Sequence, residues 1–181
     1  PSTAGPLESA ADVLGRTLGR TAALVERYLP WARGSDGLAL LERDHRLLEG
    51  LLKQGVELDE AKHAERRATL ALLVRVLTVH EQIEEKVLYP VLKSHPETKD
   101  IVLEGYQEHH VADVLVKELQ ALPPSDERWG AKLKVLQESL EHHIEEEESD
   151  MFKTARSVLT GEQLAALGDR VQEMKADLER A

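Results

Sequence analysis

Histidine and glutamate occur at the same spacing in two places in this chain of 181 residues. His80 is followed four residues later by Glu84, and His143 is followed in the same way by Glu147. Side chains four positions apart lie on one face of an α-helix, so each pair presents an imidazole beside a carboxylate. These groups bind iron, manganese, copper and zinc, which makes the two pairs candidate metal-binding motifs.

The two motifs belong to an internal repeat. An aromatic residue stands nine positions after each histidine, Tyr89 in the first copy and Phe152 in the second. A further histidine, His45 in the first copy and His109 in the second, precedes each motif by 35 and 34 residues. We therefore predict two copies of one helical hairpin, each carrying a histidine and a His-x-x-x-Glu motif.

Leucine-rich stripes at helical spacing predict the elements that position these residues. Four long helices are expected, from about residue 37 into the fifties, from the low sixties to about 89, from about 97 to 121, and from about 126 to 156. Proline-containing turns separate the last three, and Ser35 or Asp36 is expected to cap the first. Two further helices with apolar stripes are predicted at 7–29 and 160–180, the latter beginning with a Thr160–Gln163 capping box.

Four long helices joined by short turns predict an all-α fold, an antiparallel up-down four-helix bundle with extra N- and C-terminal helices. Aromatic residues make up only 3% of the chain, so leucine, valine and alanine must fill the core, which favours packed helices over a β-sandwich. We expect an N-terminal lead and helix over 1–36, the bundle over 37–156, and a C-terminal helix packing on the bundle over 157–181.

The turns also predict how the four histidines line up. Two residues on antiparallel helices lie at the same height when the turn falls midway between them in the sequence. The midpoints between successive histidines fall at Ala61/Lys62, Ser94/His95 and Asp126. The second and third midpoints coincide with the proline-containing turns, so we expect all four histidines at one level of the bundle.

A layer of inward-facing histidines and glutamates would be costly without a cation. Buried carboxylates must be paired, protonated or bound to metal, because their desolvation is otherwise too costly. Six or more inward ligands exceed the four that a tetrahedral zinc ion takes, so two ions fit better than one. The chain contains no cysteine, and its metal ligands must therefore be nitrogen and oxygen atoms.

The combined pattern resembles a known family signature. H…HxxxE…H…HxxxE with these gaps, over about residues 37–156, is typical of the hemerythrin-like (HHE cation-binding) family. The resemblance implies a four-helix bundle around two Fe ions in a non-haem centre with an oxo or hydroxo bridge. The ligands that it implies are His45, His80, Glu84, His109, His143 and Glu147, of which the two glutamates would bridge the irons.

The chain departs from the oxygen-carrying hemerythrins at one position. Those proteins have a second histidine four residues after the third-helix histidine, where this chain has Asp113, and the equivalent position on the first helix is Glu49. Each carboxylate could bind metal, accept a hydrogen bond from a ligand imidazole, or lie at the surface. Two further alternatives stay open. Glu148 could replace Glu147 by a slip of one residue, and Tyr106 could be core packing, a hydrogen-bond donor or a ligand.

A site with fewer histidines and more carboxylates than an oxygen carrier resembles the di-iron enzymes. We therefore expect a non-haem di-iron protein that reacts with hydrogen peroxide or dioxygen, in a catalase-like or peroxidase-like reaction. The alternative is a module that senses oxygen, nitric oxide or iron, or binds iron, without turnover.

Charge and composition narrow the expected partners and location. A net charge of −11 argues against binding to nucleic acid or to an anionic membrane surface. No stretch approaches the roughly 18 unbroken apolar residues of a membrane-spanning helix, and no signal-peptide core is visible. The absence of cysteine fits a reducing compartment, so we expect a cytoplasmic protein, either a monomer or a homodimer.

Overall fold

The computed structural model describes residues 35–180, except for the side chain of Glu179. This part of the chain forms five helices, of which α1 is Gly37–Glu57, α3 is Lys99–Ala121 and α5 is Gly161–Arg180. Helix α2 is α-helical over His63–Ile83, forms a π turn over Glu84–Leu88, and is α-helical again over Tyr89–Leu92. Helix α4 is built in the same way, from Arg128–Glu146, a π turn at Glu147–Met151, and Phe152–Val158. The helix predicted at 7–29 lies outside the described residues.

Side chains at the first turns explain where two of the helices begin. Asp36 Oδ1 accepts a hydrogen bond of 2.8 Å from the backbone N–H of Leu38 and so caps α1. Before α5, the N–H of Thr160 donates to Gln163 Oε1 at 2.8 Å, and the N–H of Gln163 donates to Thr160 Oγ1 at 3.2 Å. The predicted cap and the predicted capping box are both confirmed.

Helices α1 to α4 form an antiparallel bundle. Helix α1 packs against α2 and α4, and α3 packs against α2 and α4. The turns lie at residues 58–62, 93–98 and 122–127, and each contains one of the three predicted midpoints. Residues 35–180 contain no strand, so the predicted all-α bundle is confirmed.

Two apolar clusters fill the bundle, one toward each end, with a polar layer between them. Along α1, Leu38 and Leu41 belong to one cluster and Leu48 and Leu51 to the other, with buried His45 between them. The other three bundle helices show the same division around their own buried histidine. The four histidines therefore lie at one level, as the turn midpoints predict.

Helix α5 packs against α1 and α2 and adds buried Leu167 and Val171 to one of the apolar clusters. Gly168 allows α5 to approach the backbone just before α1, because a Cβ atom at this position would lie 1.9 Å from the backbone oxygen of Ser35. The helix is therefore held tightly against the start of the bundle. Within residues 35–180, no helix combines the length and the apolar character that crossing a membrane requires.

Candidate metal centre

The two repeated glutamates stand where the helical geometry changes. Glu84 begins the π turn of α2, and Glu147 begins the π turn of α4. A π turn holds one extra residue within a helix, and such turns are frequent at functional sites. At about 100° per residue, a side chain nine positions after a histidine would point roughly away from it in an uninterrupted α-helix. The extra residue removes part of this rotation and brings Tyr89 and Phe152 against the histidine layer.

Glu84 lies between two pairs of histidines. Its Oε1 is 3.1 Å from His80 Nε2 and 3.7 Å from His45 Nε2. Its Oε2 faces the other pair and is 3.2 Å from His109 Nε2. The side chain is fully buried, so this carboxylate reaches both halves of the layer without contact with solvent.

Glu147 faces the same centre from α4. Its Oε2 is 3.2 Å from His45 Nε2 and 3.7 Å from His143 Nε2. Its Oε1 accepts a hydrogen bond of 2.9 Å from the hydroxyl of Tyr89, and the same hydroxyl is 3.4 Å from His109 Nε2. Tyr89 therefore fixes one oxygen of Glu147 and lies directly against the histidine layer.

Several inward-facing atoms have no hydrogen-bond partner among the described residues. They are Nε2 of His45, Nε2 of His80, both carboxylate oxygens of Glu84, and Oε2 of Glu147. These atoms approach one another, but their directions do not make hydrogen bonds. An unpaired buried polar group costs about 1–3 kcal/mol, so the cluster is suited to a bound cation and poorly suited to a closed hydrogen-bond network.

An outer set of carboxylates orients three of the four imidazoles. The hydrogen bonds run from His45 Nδ1 to Glu148 at 2.8 Å, from His109 Nδ1 to Glu85 at 3.1 Å, and from His143 Nδ1 to Glu108 at 2.7 Å. An ionised carboxylate only accepts, so each Nδ1 carries the hydrogen and each neutral ring keeps a lone pair on Nε2. Metal-binding histidines are oriented in this way by a carboxylate behind the ring.

His80 is the exception. Its Nδ1 is buried and has no hydrogen-bond partner in the described part of the chain. The repeat places Asp44 where the other copy has Glu108, but Asp44 forms an ion pair of 2.5 Å with Lys175 of α5. Helix α5 therefore binds Asp44, the carboxylate that corresponds in the repeat to Glu108, the hydrogen-bond partner of His143.

Burial and charge act in opposite directions on these groups. Burial disfavours the charged form of His109, but the nearby carboxylates, Glu84 foremost, outweigh it and raise the pKa of His109 to about 9. Burial likewise opposes charge on His45, yet the surrounding glutamates hold its pKa well above the usual value. Burial also opposes charge on Glu84, while the adjacent histidines, His80 foremost, hold its pKa well below the usual value. A metal ion binding here must therefore displace protons from the imidazoles.

The two carboxylates predicted to follow the first- and third-helix histidines lie outside the inner cluster. Asp113 is exposed and pairs with Lys117 at 3.5 Å. Glu49 is half-buried and pairs with Arg46 at 3.1 Å. The structure brings neither carboxylate into contact with the inward-facing imidazole nitrogens.

The other two uncertain residues lie one layer out from the centre. Glu148 points to His45 Nδ1, behind the ring, whereas Glu147 faces the centre. The hydroxyl of Tyr106 is 3.5 Å from the backbone oxygen of Glu85, and its ring packs edge-on against Tyr89. Tyr106 thus supports the residue that does reach the centre.

Tyr89 is one of the residues that sequence reasoning missed. The internal repeat identified Tyr89 only as the aromatic residue that corresponds to Phe152. Gly105 makes room for it, because a Cβ atom there would lie 2.6 Å from the Tyr89 hydroxyl. Burial and the neighbouring carboxylates raise the pKa of Tyr89 well above its ordinary value, so the hydroxyl keeps its proton. An isolated glycine inside the third helical stretch, four residues before His109, was the available signal.

The sequence profile of the hemerythrin HHE cation binding domain matches residues 36–155, which contain the whole inner cluster. This chain belongs to that family. An HHE domain binds metal cations, and the buried histidines and glutamates of this one could hold them. Helix α5 lies outside the matched residues.

A solved structure and a curated protein are similar to this HHE protein. The crystal structure of an HHE cation binding domain-containing protein from Mycobacterium kansasii aligns with a TM-score of 0.65 and 26% identity, covering 77% of this chain and 83% of that chain. A DNA nickase from Nostoc sp. (strain PCC 7120) is 32% identical over 87 residues, which are 48% of this chain. The match spans only 24% of the length of the nickase.

Proposed function

We propose that the inner cluster holds two iron ions and that this centre reacts with hydrogen peroxide or dioxygen. The observation that carries the proposal is that two groups of ligand atoms, each group within 4.8 Å, share Glu84. One group is His45, His80, Glu84 and Glu147, and the other is Glu84, His109 and His143. A carboxylate with one oxygen toward each histidine pair is suited to bridge two ions, as in other di-iron bundles. An oxo or hydroxo bridge, which the family resemblance implies, would complete the pair.

Bound iron would carry out the redox chemistry and would act as a Lewis acid. The protein's contribution is to hold the ligands in place and to limit access of water. Three outer carboxylates fix the imidazole tautomers, and the two apolar clusters close the bundle on both sides of the layer. The polar centre is therefore rigid and largely shielded.

The two ligand groups differ in the number of residues that they contain. The group around His45 and His80 has four members, and the group around His109 and His143 has three. Glu147 Oε2 also lies 3.7 Å from His143 Nε2, so the two groups share both glutamates at their border. We place the oxidant on the side of His109 because the hydroxyl of Tyr89 is 3.4 Å from Nε2 there and is positioned to hold or donate a proton.

Metal analysis and peroxide turnover test the proposal. Iron-loaded protein should contain close to two irons per chain and release dioxygen from hydrogen peroxide. His143→Ala should lose iron and turnover, whereas His142→Ala, which changes the exposed neighbour, should keep both. Protein that holds two irons but neither consumes peroxide nor reduces dioxygen would contradict the enzymatic proposal. Tight zinc binding without iron, in cells supplied with both, would contradict any redox role.

A second candidate function is the sensing of oxygen, nitric oxide or iron without turnover. It is favoured by the ion pair between Asp44, directly before His45, and Lys175 of α5. This contact couples the centre to a helix that lies outside the bundle. Sensing predicts that binding of iron or nitric oxide changes hydrogen exchange in α5 while peroxide is left unconsumed. Unchanged exchange in α5 would argue against it.

A further inference from the structure

An open cleft of about 360 Å³ lies between α2 and α3. Its walls include three carboxylates and two histidines, which are Glu81, Glu85, Asp113, His109 and His110. His109 also belongs to the inner cluster, so the cleft extends from the protein surface to one residue of the proposed metal centre. No lysine or arginine lines the cleft among the described residues.

Glu81 is a buried residue of the cleft whose side chain has an oxygen without a hydrogen-bond partner among the described residues. Its side chain is only 8% exposed, and its Oε1 has no hydrogen-bond partner in the described part of the chain. A buried carboxylate is unfavourable unless it is protonated or is paired with a donor or a cation. Glu85 and Asp113 line the same small space, which concentrates negative charge around that oxygen. The arrangement suits a cation.

A series of ligand atoms leads from the rim of the cleft to the inner cluster. The side chain of Asp113 is 53% exposed and that of Glu85 is 39% exposed. Glu85 accepts the hydrogen bond of 3.1 Å from His109 Nδ1, and His109 Nε2 is 3.2 Å from Glu84 Oε2. Carboxylate oxygens and imidazole nitrogens are both ligands for divalent metal ions.

We propose that this cleft takes up divalent cations, with Glu81 and Asp113 holding an incoming ferrous or similar ion before it passes Glu85 and His109 to the centre. The inference rests on the metal centre proposed above. Two lysines lie near the rim, but their described contacts are elsewhere: Lys117 pairs with Asp113, and Lys86 donates to the side chain of Gln82 at 2.8 Å. Neither contact occupies Glu81 Oε1.

The test is the rate at which the metal-stripped full chain takes up ferrous iron without oxygen, followed by stopped flow. Glu81→Gln keeps the shape of the side chain and removes its charge. Glu138→Gln is the matched control, because it removes one charge from an exposed side chain of α4. We expect uptake by Glu81→Gln to be about tenfold slower than by the wild type or the control, with the same final metal content.

Asp113→Lys provides a second variant at an exposed position, where a folding defect is not expected. Uptake by this variant should be slower still, and it should lose the salt dependence that an attractive cleft gives the wild type. Equal melting temperatures of the metal-stripped proteins would separate slow uptake from a damaged fold.

Three results would overturn the proposal in distinguishable ways. Wild-type uptake rates in Glu81→Gln and Asp113→Lys, with full loading, would remove the uptake cleft and leave the metal centre intact. Variants that change only the peroxide reaction of loaded protein would make the cleft a path for the oxidant instead. Failure of the wild type itself to take up any metal would remove both the centre and the cleft.

Discussion

Tyr89 of α2 and Phe152 of α4 occupy the same position in the two copies of the hairpin, and each stacks on a histidine of the other copy. Tyr89 lies against His109 with ring centroids 5.5 Å apart, and Phe152 lies against His45 at 5.7 Å. Only Tyr89 carries a hydroxyl, which it donates to Glu147. The repeat thus provides the same apolar support on both sides but places a proton donor on one side alone.

A second difference lies behind the histidines. His143 Nδ1 donates to Glu108 at 2.7 Å, whereas His80 Nδ1 has no partner among the described residues, and Asp44, which corresponds to Glu108 in the repeat, pairs with Lys175. The repeated motif supplies equivalent candidate ligands, and residues around it make the two halves unequal. We infer that this inequality assigns different roles to the two proposed metal positions.

The largest expected effect comes from the residue that both halves share. Glu84→Gln should reduce the metal content from near two ions per chain to near zero, because this carboxylate faces both histidine pairs. Glu49→Gln, which changes a carboxylate outside the cluster, should keep both ions. Metal analysis after equilibrium loading measures the difference. Retention of one full ion by Glu84→Gln would show that the halves bind metal independently.

The next effect is on the pH dependence of stability. In the folded protein the pKa of His109 is raised from 6.5 to about 9, so its protonation stabilises the metal-stripped fold fully below pH 6.5. That contribution should be lost as the pH rises through about 9, whereas metal affinity should increase with pH because ions displace protons. Urea unfolding at a series of pH values measures the slope. A slope that is equally steep in His109→Gln and His110→Gln would contradict the assignment to His109.

Removing the hydroxyl should abolish the first of these two differences between the halves. Tyr89→Phe should keep two ions but lower peroxide turnover by about tenfold, and lose about 1–2 kcal/mol of stability with the hydrogen bond to Glu147. Steady-state oxygen evolution and thermal unfolding measure the two effects. Gly105→Ala should imitate the turnover loss, because its new methyl group would displace the Tyr89 hydroxyl. Full turnover in both variants would remove Tyr89 from the reaction.

The smallest effect is expected from helix α5. Lys175→Gln should release Asp44, which could then accept a hydrogen bond from His80 Nδ1, at a cost of about 1 kcal/mol in stability. Nitrogen-15 NMR of the zinc-loaded protein would detect a new slowly exchanging Nδ1–H. An unchanged His80 signal would mean that α5 does not control the difference between the halves.

The bundle and the level of its histidines could be predicted because leucine stripes, proline turns and residue spacing report directly on helix position. The identity of the outer carboxylates could not be predicted from the sequence. Glu85 and Glu108 adjoin proposed ligand positions, and the direction of their side chains depends on how the helices pack, which spacing alone does not define. The contact of Tyr89 with the histidine layer could not be predicted either, because the regular periodicity of an α-helix does not reveal a π turn. Asp113 had the right spacing on α3, but its face of the helix points to the cleft.

The central claim is that two ions share Glu84, and anomalous X-ray diffraction at the iron edge tests it most directly. Crystals of the iron-loaded protein should show two peaks about 3.5–4 Å apart, one beside His45 and His80 and the other beside His109 and His143, with Glu84 between them. A single peak, or peaks at the Glu108, His142 and Glu146 surface group instead, would contradict it.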